Sequence, residues 1–152
     1  MESNKYCGNF FLCNYWNADM TKVEGLYDTI ILDHLKTKVV LNIAVFLNGI
    51  IEKDEDVTFL FIIRQHNNDG NDIFLPLVFR SESVKSGSNF MEASVLDNLE
   101  VMFPEEGTYS IELYYSPGKI EIEDTGKPNY KDIISEKNFL NRYMLRVECE
   151  DN

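Results

Sequence analysis

The stretch Gly-Thr-Tyr-Ser-Ile-Glu-Leu-Tyr-Tyr, residues 107–115, decides the fold. Apolar or aromatic side chains occupy every second position from Tyr109 onward. Because successive side chains of a β-strand point to opposite faces, this alternation predicts a strand with one buried face. The inward residues of that strand are Tyr109, Ile111, Leu113 and Tyr115.

The rest of the chain repeats this kind of signal. Residues 38–47 form the clearest β-branched run, and Asn48-Gly49 predicts a turn that ends it. Residues 57–66 and 73–80 flank a polar turn at 67–72 and predict a hairpin, in which Pro76 marks an edge strand or a bulge. Further strands are predicted within residues 9–16, 23–32, 89–103 and 138–148, with polar loops at 81–88 and 119–137.

Composition places these strands in one domain, residues 1–152. A chain of 152 residues with 44% hydrophobic and 26% charged residues has the balance of a single globular core. Aromatic residues make up 12% and favour sheets. No internal repeat or Pro/Gly/Ser-rich linker divides the sequence.

The segment Phe-Pro-Glu-Glu-Gly-Thr-Tyr, residues 103–109, resembles the tyrosine corner of immunoglobulin-like sandwiches. The resemblance implies that the Tyr109 hydroxyl bonds to upstream backbone and that Gly107 forms the preceding turn. Asn17-Ala18-Asp19 followed by Gly-Leu-Tyr-Asp-Thr-Ile, residues 25–30, resembles the opening of a family of uncharacterised bacterial proteins with a predicted immunoglobulin-like fold. These resemblances imply an all-β, immunoglobulin-like antiparallel sandwich of about seven to nine strands. The acidic insertion at 119–137 departs from the family pattern, and we expect it to form a long acidic loop before the last strand.

Location and redox state follow from the N-terminus and the cysteines. No basic region leads into an apolar run, and no window approaches the length of a membrane span, so we expect a cytoplasmic protein. Cys7, Cys13 and Cys149 are odd in number, which favours free thiols over a disulfide framework.

A search for chemistry finds no catalytic residue and no cofactor motif. His34 and His66 lack metal-ligand spacing, and the acidic residues 54–56 and 67–72 lack the spacing of a calcium loop, so no metal is predicted. Nucleophile-elbow, dinucleotide and phosphate-loop motifs are absent from the sequence. We therefore expect a protein without enzymatic activity.

The excess of acidic residues and its uneven distribution are the most unusual features of the sequence. The net charge is -12, which disfavours direct binding to nucleic acid or membrane, and residues 92–124 hold nine acids against one lysine. A candidate acidic face consists of Glu105, Glu106, Glu121, Glu123 and Asp124. Trp16, Tyr114 and Tyr130 are candidate exposed aromatic residues.

Three functions remain open at this point, and the oligomeric state is undetermined. The first is a non-enzymatic protein-binding or accessory module that acts through loops or a sheet edge on a partner protein, possibly a basic one. The alternative is an acidic inhibitor whose carboxylates mimic nucleic-acid phosphates and block a nucleic-acid-binding enzyme. A hydrolase or small-ligand binder would require a concave pocket with convergent polar groups.

Overall fold

The structure is a computed structural model that describes residues 6–50, 53–66, 74–84, 89–118 and 138–150. For residues 74–82, 84 and 89–92 it describes the backbone alone. The described residues are all-β: they form ten strands and contain no α-helix. The predicted all-β class is therefore confirmed. The strands are β1 (Tyr6–Leu12), β2 (Tyr15–Trp16), β3 (Val23–Glu24), β4 (Thr29–Leu32), β5 (Lys38–Ile50), β6 (Glu55–His66), β7 (Phe74–Val84), β8 (Asn89–Met102), β9 (Gly107–Pro117) and β10 (Phe139–Cys149).

Two sheets and a ribbon contain these strands. The small sheet has the order β1-β5-β8, and the large sheet has the order β4-β10-β9-β6-β7. All neighbours pair antiparallel except β4, which runs parallel to β10. The ribbon, β2 and β3, is inserted where the chain passes from the small sheet at β1 to the large sheet at β4. Strands of both sheets are therefore interleaved along the chain.

The core lies between the two sheets. The Tyr6 ring of the small sheet meets the Phe59 ring of the large sheet edge-on, with centroids 5.4 Å apart, and Phe10 meets Phe61 at 5.1 Å. Such edge-to-face pairs add to the gain from burying apolar area. The predicted inward residues of β9 that are fully buried here are Tyr109, Ile111 and Leu113, whereas Tyr115 is half-buried.

The corner before β9 joins the two sheets. Tyr109 is fully buried, its ring packs edge-on against Phe103 at 5.0 Å, and its hydroxyl donates to the carbonyl of Glu105 at 2.6 Å. Gly107 has a φ of 142°, a backbone conformation that favours glycine. The hydrogen bond from Tyr109 to Glu105 thereby fixes the loop after β8 to the start of β9.

Several predicted boundaries hold. The strands at 57–66 and 73–80 are confirmed as the antiparallel pair β6 and β7, although their turn at 67–72 lies outside the described residues. Pro76 occupies an edge strand and adjoins a register shift between Phe61 and Ile62, as its missing backbone donor predicts.

Other boundaries are wrong. Asn48-Gly49 is not a turn, because β5 continues to Ile50 and Gly49 pairs with both β1 and β8. The predicted strand at 9–16 breaks at Cys13 and Asn14, and Phe11 and Tyr15 are exposed rather than covered. The predicted loop at 81–88 begins later, since β7 extends through Val84. The long acidic loop at 119–137 lies outside the described residues.

Candidate functional site

The structure describes two of the five residues of the candidate acidic face. Glu105 and Glu106 are exposed in the loop between β8 and β9. Gln65 donates to the Glu105 carboxylate at 3.1 Å, and the backbone N–H of Cys149 donates to Glu106 at 2.6 Å. Both carboxylates therefore also fasten their own loop to the ends of β6 and β10. The other three predicted acids, Glu121, Glu123 and Asp124, lie outside the described residues.

A further acid of the same stretch, Glu112, is fully buried on the outer face of the large sheet. One carboxylate oxygen accepts from the Tyr114 hydroxyl at 2.6 Å and lies 3.4 Å from the Arg64 guanidinium. The other accepts from the Ser110 hydroxyl at 3.0 Å and from the Arg142 Nε at 3.2 Å. Four donors from three neighbouring strands thus saturate one carboxylate, and we call this set the Glu112 network.

Electrostatics agree with that geometry. Burial alone raises the pKa of Glu112, but the hydrogen bonds from Tyr114 and Ser110 and the charges of the two arginines outweigh it. The net result is a pKa below the ordinary value, so the carboxylate is charged at neutral pH. Burial and the same carboxylate raise the pKa of Tyr114, which keeps its hydroxyl protonated as a donor.

The Glu112 network corrects one prediction and adds a site that sequence reasoning missed. Tyr114 was predicted to be exposed, but it is buried, because its hydroxyl donates to Glu112 and its ring packs on Phe139 at 5.7 Å. The available signal was a charged residue within each of the apolar strands β6, β9 and β10, since Arg64, Glu112 and Arg142 all face outward. Their pairing across three strands needed the register.

Ser110 and His66 do not form a nucleophilic pair. The His66 ring nitrogen lies 2.8 Å from the Ser110 hydroxyl, which donates its proton to Glu112. The hydroxyl oxygen is therefore a hydrogen-bonded link rather than an activated attacker, and Ser110 is fully buried. Within the described ranges, no group of three or more His, Cys, Asp or Glu is arranged to hold a metal. The same ranges contain no helix long and apolar enough to cross a membrane.

The sheet edges are interrupted. Asn141 donates to the Gly8 carbonyl at 2.8 Å and covers the free side of β1. On β8 a bulge opposite β5 puts Asn98 at a φ of 57°, and β7 carries Pro76 beside its own register shift. The fourth edge strand, β4, has four residues. In the described part of the chain, no edge offers a long unbroken ladder for a partner strand.

The ribbon is held rigid by its own hydrogen bonds. Asn17 accepts from the backbone of Lys22 at 2.9 Å and donates to the Thr21 hydroxyl at 2.9 Å. Asp19 accepts from both the hydroxyl and the backbone N–H of Thr21 at 2.7 and 3.2 Å. At its base Gly25 has a φ of 70°, and a Cβ there would lie 2.8 Å from that of Asn14. The loop is thus ordered before any partner arrives.

Aromatic and apolar side chains cover the ribbon. Tyr15 is 51% exposed, and the Lys22 ammonium lies 5.9 Å from its ring centroid. Trp16 is half-buried, and Leu26 is 56% exposed just beyond β3. Of the predicted exposed aromatic residues, Trp16 alone has a surface position among those that the structure describes, since Tyr130 lies outside them.

The outer face of the small sheet is apolar at its centre. Around Ala44 and Phe46 of β5 it carries Phe11 of β1 and Val95 of β8. The Phe11 and Phe46 rings approach edge-on with centroids 6.5 Å apart. The exposed large apolar side chains on this face are Phe11, Val40, Ile50 and Met102. Its described charges lie toward one end, where Lys38 pairs with Glu100 at 3.4 Å and Asp97 sits in the bulge.

Comparisons with known proteins add little. No protein-family model matches the chain, and no curated protein matches it. Its backbone is similar to part of a β-glucosidase from Listeria innocua. The glucose complex gives a TM-score of 0.49 at 8% identity, covering 94% of this chain and 16% of the enzyme. The enzyme without ligand gives 0.48 at 8% identity, and the isofagomine complex gives 0.47 at 10% identity. At this level the likeness carries no argument about what the chain does.

Proposed function

We propose that the chain is a non-enzymatic protein-binding module with an immunoglobulin-like sandwich, and that it binds its partner through the ribbon. The sandwich assignment is supported by the two interleaved sheets and by the Tyr109 hydroxyl, which bonds to the Glu105 carbonyl at the start of β9. That bond has the form of a tyrosine corner. The binding role does not follow from the fold and rests on the ribbon itself.

The single observation that carries the proposal is a preorganised loop with aromatic anchors. Tyr15 and Trp16 stand on β2, outside the core between the sheets, while Asn17 and Asp19 fix the loop through their side chains. Tyrosine and tryptophan dominate the energetics of protein interfaces because they bury a large area with few rotatable bonds. A loop that is already ordered loses less conformational entropy when it binds.

The same observations favour a loop over a sheet edge as the binding element. Each edge of the two sheets is shortened, bulged or covered in the described residues. Strand addition needs a row of free backbone groups, which such edges do not supply. The ribbon requires no such row, because its contacts are made by side chains.

Site-specific photo-crosslinking in the native host tests the proposal. A photoreactive residue placed at Tyr15 should crosslink to one partner protein, and one placed at the exposed Leu35, in the connection between β4 and β5, should not. Trp16→Ala should weaken the purified complex by about 2 kcal/mol, the size of an interface hot spot. Equal crosslinking from both positions, or an unchanged affinity of Trp16→Ala in calorimetry, would contradict the ribbon as the binding element.

Preorganisation has its own test. Asn17→Ala removes two loop hydrogen bonds but leaves both aromatic side chains in place. We expect a loss of affinity of about 1 kcal/mol with an unchanged contact surface, because the loop must then be ordered on binding. Leu35→Ala serves as the control and should bind like the parent chain.

A further inference from the structure

Part of the outward side of β5 has a pattern that is symmetric in kind. Between Val40 and Ile50 the outward residues are Val40, Asn42, Ala44, Phe46, Asn48 and Ile50, and Lys38 extends beyond this stretch. In kind these are apolar, amide, apolar, apolar, amide, apolar. The pattern is symmetric about Val45, which itself points into the core. A surface with this symmetry is complementary to a copy of itself turned by a half rotation.

We propose that the outer face of the small sheet binds a second copy of this chain, with the two β5 strands antiparallel about a two-fold axis at Val45. In that arrangement Val40 of one copy faces Ile50 of its partner, whereas Ala44, which is fully buried in the single chain, adds no contact area beside Phe46. Val40 is 51% exposed and Ile50 is 73% exposed in the single chain, so both have area to bury. This surface is separate from the ribbon, and the inference does not rest on the proposed function.

The amides support the same pairing. Asn42 accepts from the backbone N–H of Asn98 at 3.1 Å, which leaves its NH₂ group free to donate. Asn48 is exposed, and its side-chain amide makes no hydrogen bond to the residues that the structure describes. The two-fold arrangement places Asn42 of one copy against Asn48 of its partner. An amide NH₂ and an amide carbonyl then meet, and neither is buried without a partner.

Charge favours this face over the rest of the surface. Two copies that each carry a net charge of -12 repel one another over most approaches. From Ala44 to Ile50, the described outward side chains of β5 and its neighbours carry no charge, and the ion pair Lys38–Glu100 lies near one end. Charged residues are depleted at the centres of protein interfaces in general. Among the described residues, this stretch of the small sheet therefore adds no repulsion of its own.

The area indicates a reversible dimer. β1, β5 and β8 have 7, 13 and 14 residues, so the face measures about 530 Å² at the usual strand spacings. Two copies would bury about 1,060 Å² together, which is the size of a weak, transient interface. We therefore expect dissociation in the micromolar range rather than an obligate dimer.

Sedimentation equilibrium of the full chain, in reducing buffer so that the exposed Cys7 cannot crosslink copies, tests the proposal. From about 1 to about 500 µM, the average mass should rise from one chain toward two, the range expected for an interface of this size. Association should be stronger in 0.5 M than in 0.05 M salt (about a threefold change in Debye length), because screening weakens the repulsion between the copies. A chain that remains monomeric throughout would overturn the proposal, even if this face proved to bind another protein.

Two complementary substitutions test the two-fold register. V40K alone and I50E alone should each weaken dimerisation by about tenfold, since each puts a charge against an apolar side chain. An equimolar mixture of V40K and I50E should recover association, because the lysine of one copy then faces the glutamate of its partner. Failure of the mixture to associate better than either variant would overturn the register.

A matched pair of methionines is the control. Met102 on the small sheet and Met144 on the large sheet are each 49% exposed. Met102 lies opposite Lys38, at the rim of the paired stretch. Met102→Glu should therefore weaken dimerisation by about threefold, less than V40K, and Met144→Glu should leave it unchanged, with equal thermal unfolding midpoints showing that both variants fold. Equal effects of the two substitutions on dimerisation would overturn the assignment to the small sheet.

Discussion

The outer faces of the two sheets differ in how their apolar and charged side chains are arranged. On the small sheet, apolar side chains such as Val40 and Met102 remain exposed, and ionic contacts lie toward one end. On the large sheet, Glu112 is fully buried and bound by donors from β6, β9 and β10. The large sheet also exposes apolar side chains, Ile31 and Met144. The two faces therefore differ chiefly in where their described charged groups lie: toward one end of the small sheet, and around the buried Glu112 of the large sheet.

The largest expected effect comes from breaking the Glu112 network. Glu112→Gln removes the charge that pairs with Arg64 and Arg142. We expect a loss of about 3 kcal/mol in the free energy of unfolding, the low end for a broken buried pair, because Arg142 is half-exposed and keeps part of its hydration. Urea unfolding at pH 7 measures it. Glu148→Gln is the control, since its ion pair with Arg146 is exposed and should be worth at most about 0.5 kcal/mol.

The same network should make stability depend on pH. The pKa of Glu112 is lowered in the folded chain, so its contribution is full at neutral pH and is lost as pH falls through the lowered folded-state pKa. The difference in unfolding free energy between the parent and Glu112→Gln should therefore shrink as the solution is acidified. A difference that stays constant from pH 7 to about pH 3 would show that the carboxylate is not preferentially charged in the folded state.

A smaller loss is expected at the corner that joins the sheets. Tyr109→Phe removes a buried hydroxyl that donates to the Glu105 carbonyl at 2.6 Å. The free energy of unfolding should fall by about 0.5 to 2 kcal/mol with the fold intact, because the hydroxyl's two hydrogen bonds to the Glu105 backbone are lost and the Phe103 contact remains. Tyr15→Phe, at an exposed position, should change the urea midpoint little. Equal urea midpoints for Tyr109→Phe and the parent would show that the hydrogen bonding of the Tyr109 hydroxyl does not stabilise the fold.

How far the sequence predicts this molecule depends on whether a feature is local. The inward face of β9 follows from alternation alone, and Pro76 marks an edge by its missing donor. Asn48-Gly49 misleads, because turn chemistry is only a local preference and β5 is flanked on both sides by strands that continue its ladder. Tertiary pairing overrides the local signal there.

The candidate sites depended on register and therefore could not be predicted. Glu112 was counted with the other acids of residues 92–124, but it meets Arg64 and Arg142 only once three strands are aligned. The symmetric pattern on β5 becomes visible only when its outward residues are known to be uncovered. The strand predicted at residues 9–16 is interrupted at Cys13 and Asn14, where the ribbon begins. No glycine or proline marks this break in the sequence.

The smallest effect on stability concerns the acids. Replacing Glu105, Glu106, Glu121 and Glu123 by Gln should change the unfolding midpoint little, because the loss of two hydrogen-bonded charges is offset by weaker repulsion. If these acids contact a basic partner, as the acidic-face hypothesis holds, affinity should fall in this variant and with added salt, chiefly through slower association. A partner bound equally well under both changes would show that the acids serve solubility alone.

The contrast between the two sheet faces is tested most directly by oxidising two native methionines. Met102 and Met144 are each 49% exposed, on the outer faces of the small and the large sheet. At about 1 µM chain, hydroxyl-radical footprinting read by mass spectrometry should oxidise them at rates within about twofold, since exposure governs access. At about 500 µM, Met102 should be protected and Met144 should not, because only the small sheet is covered by a second copy. A ratio of the two rates that is independent of concentration would contradict the account.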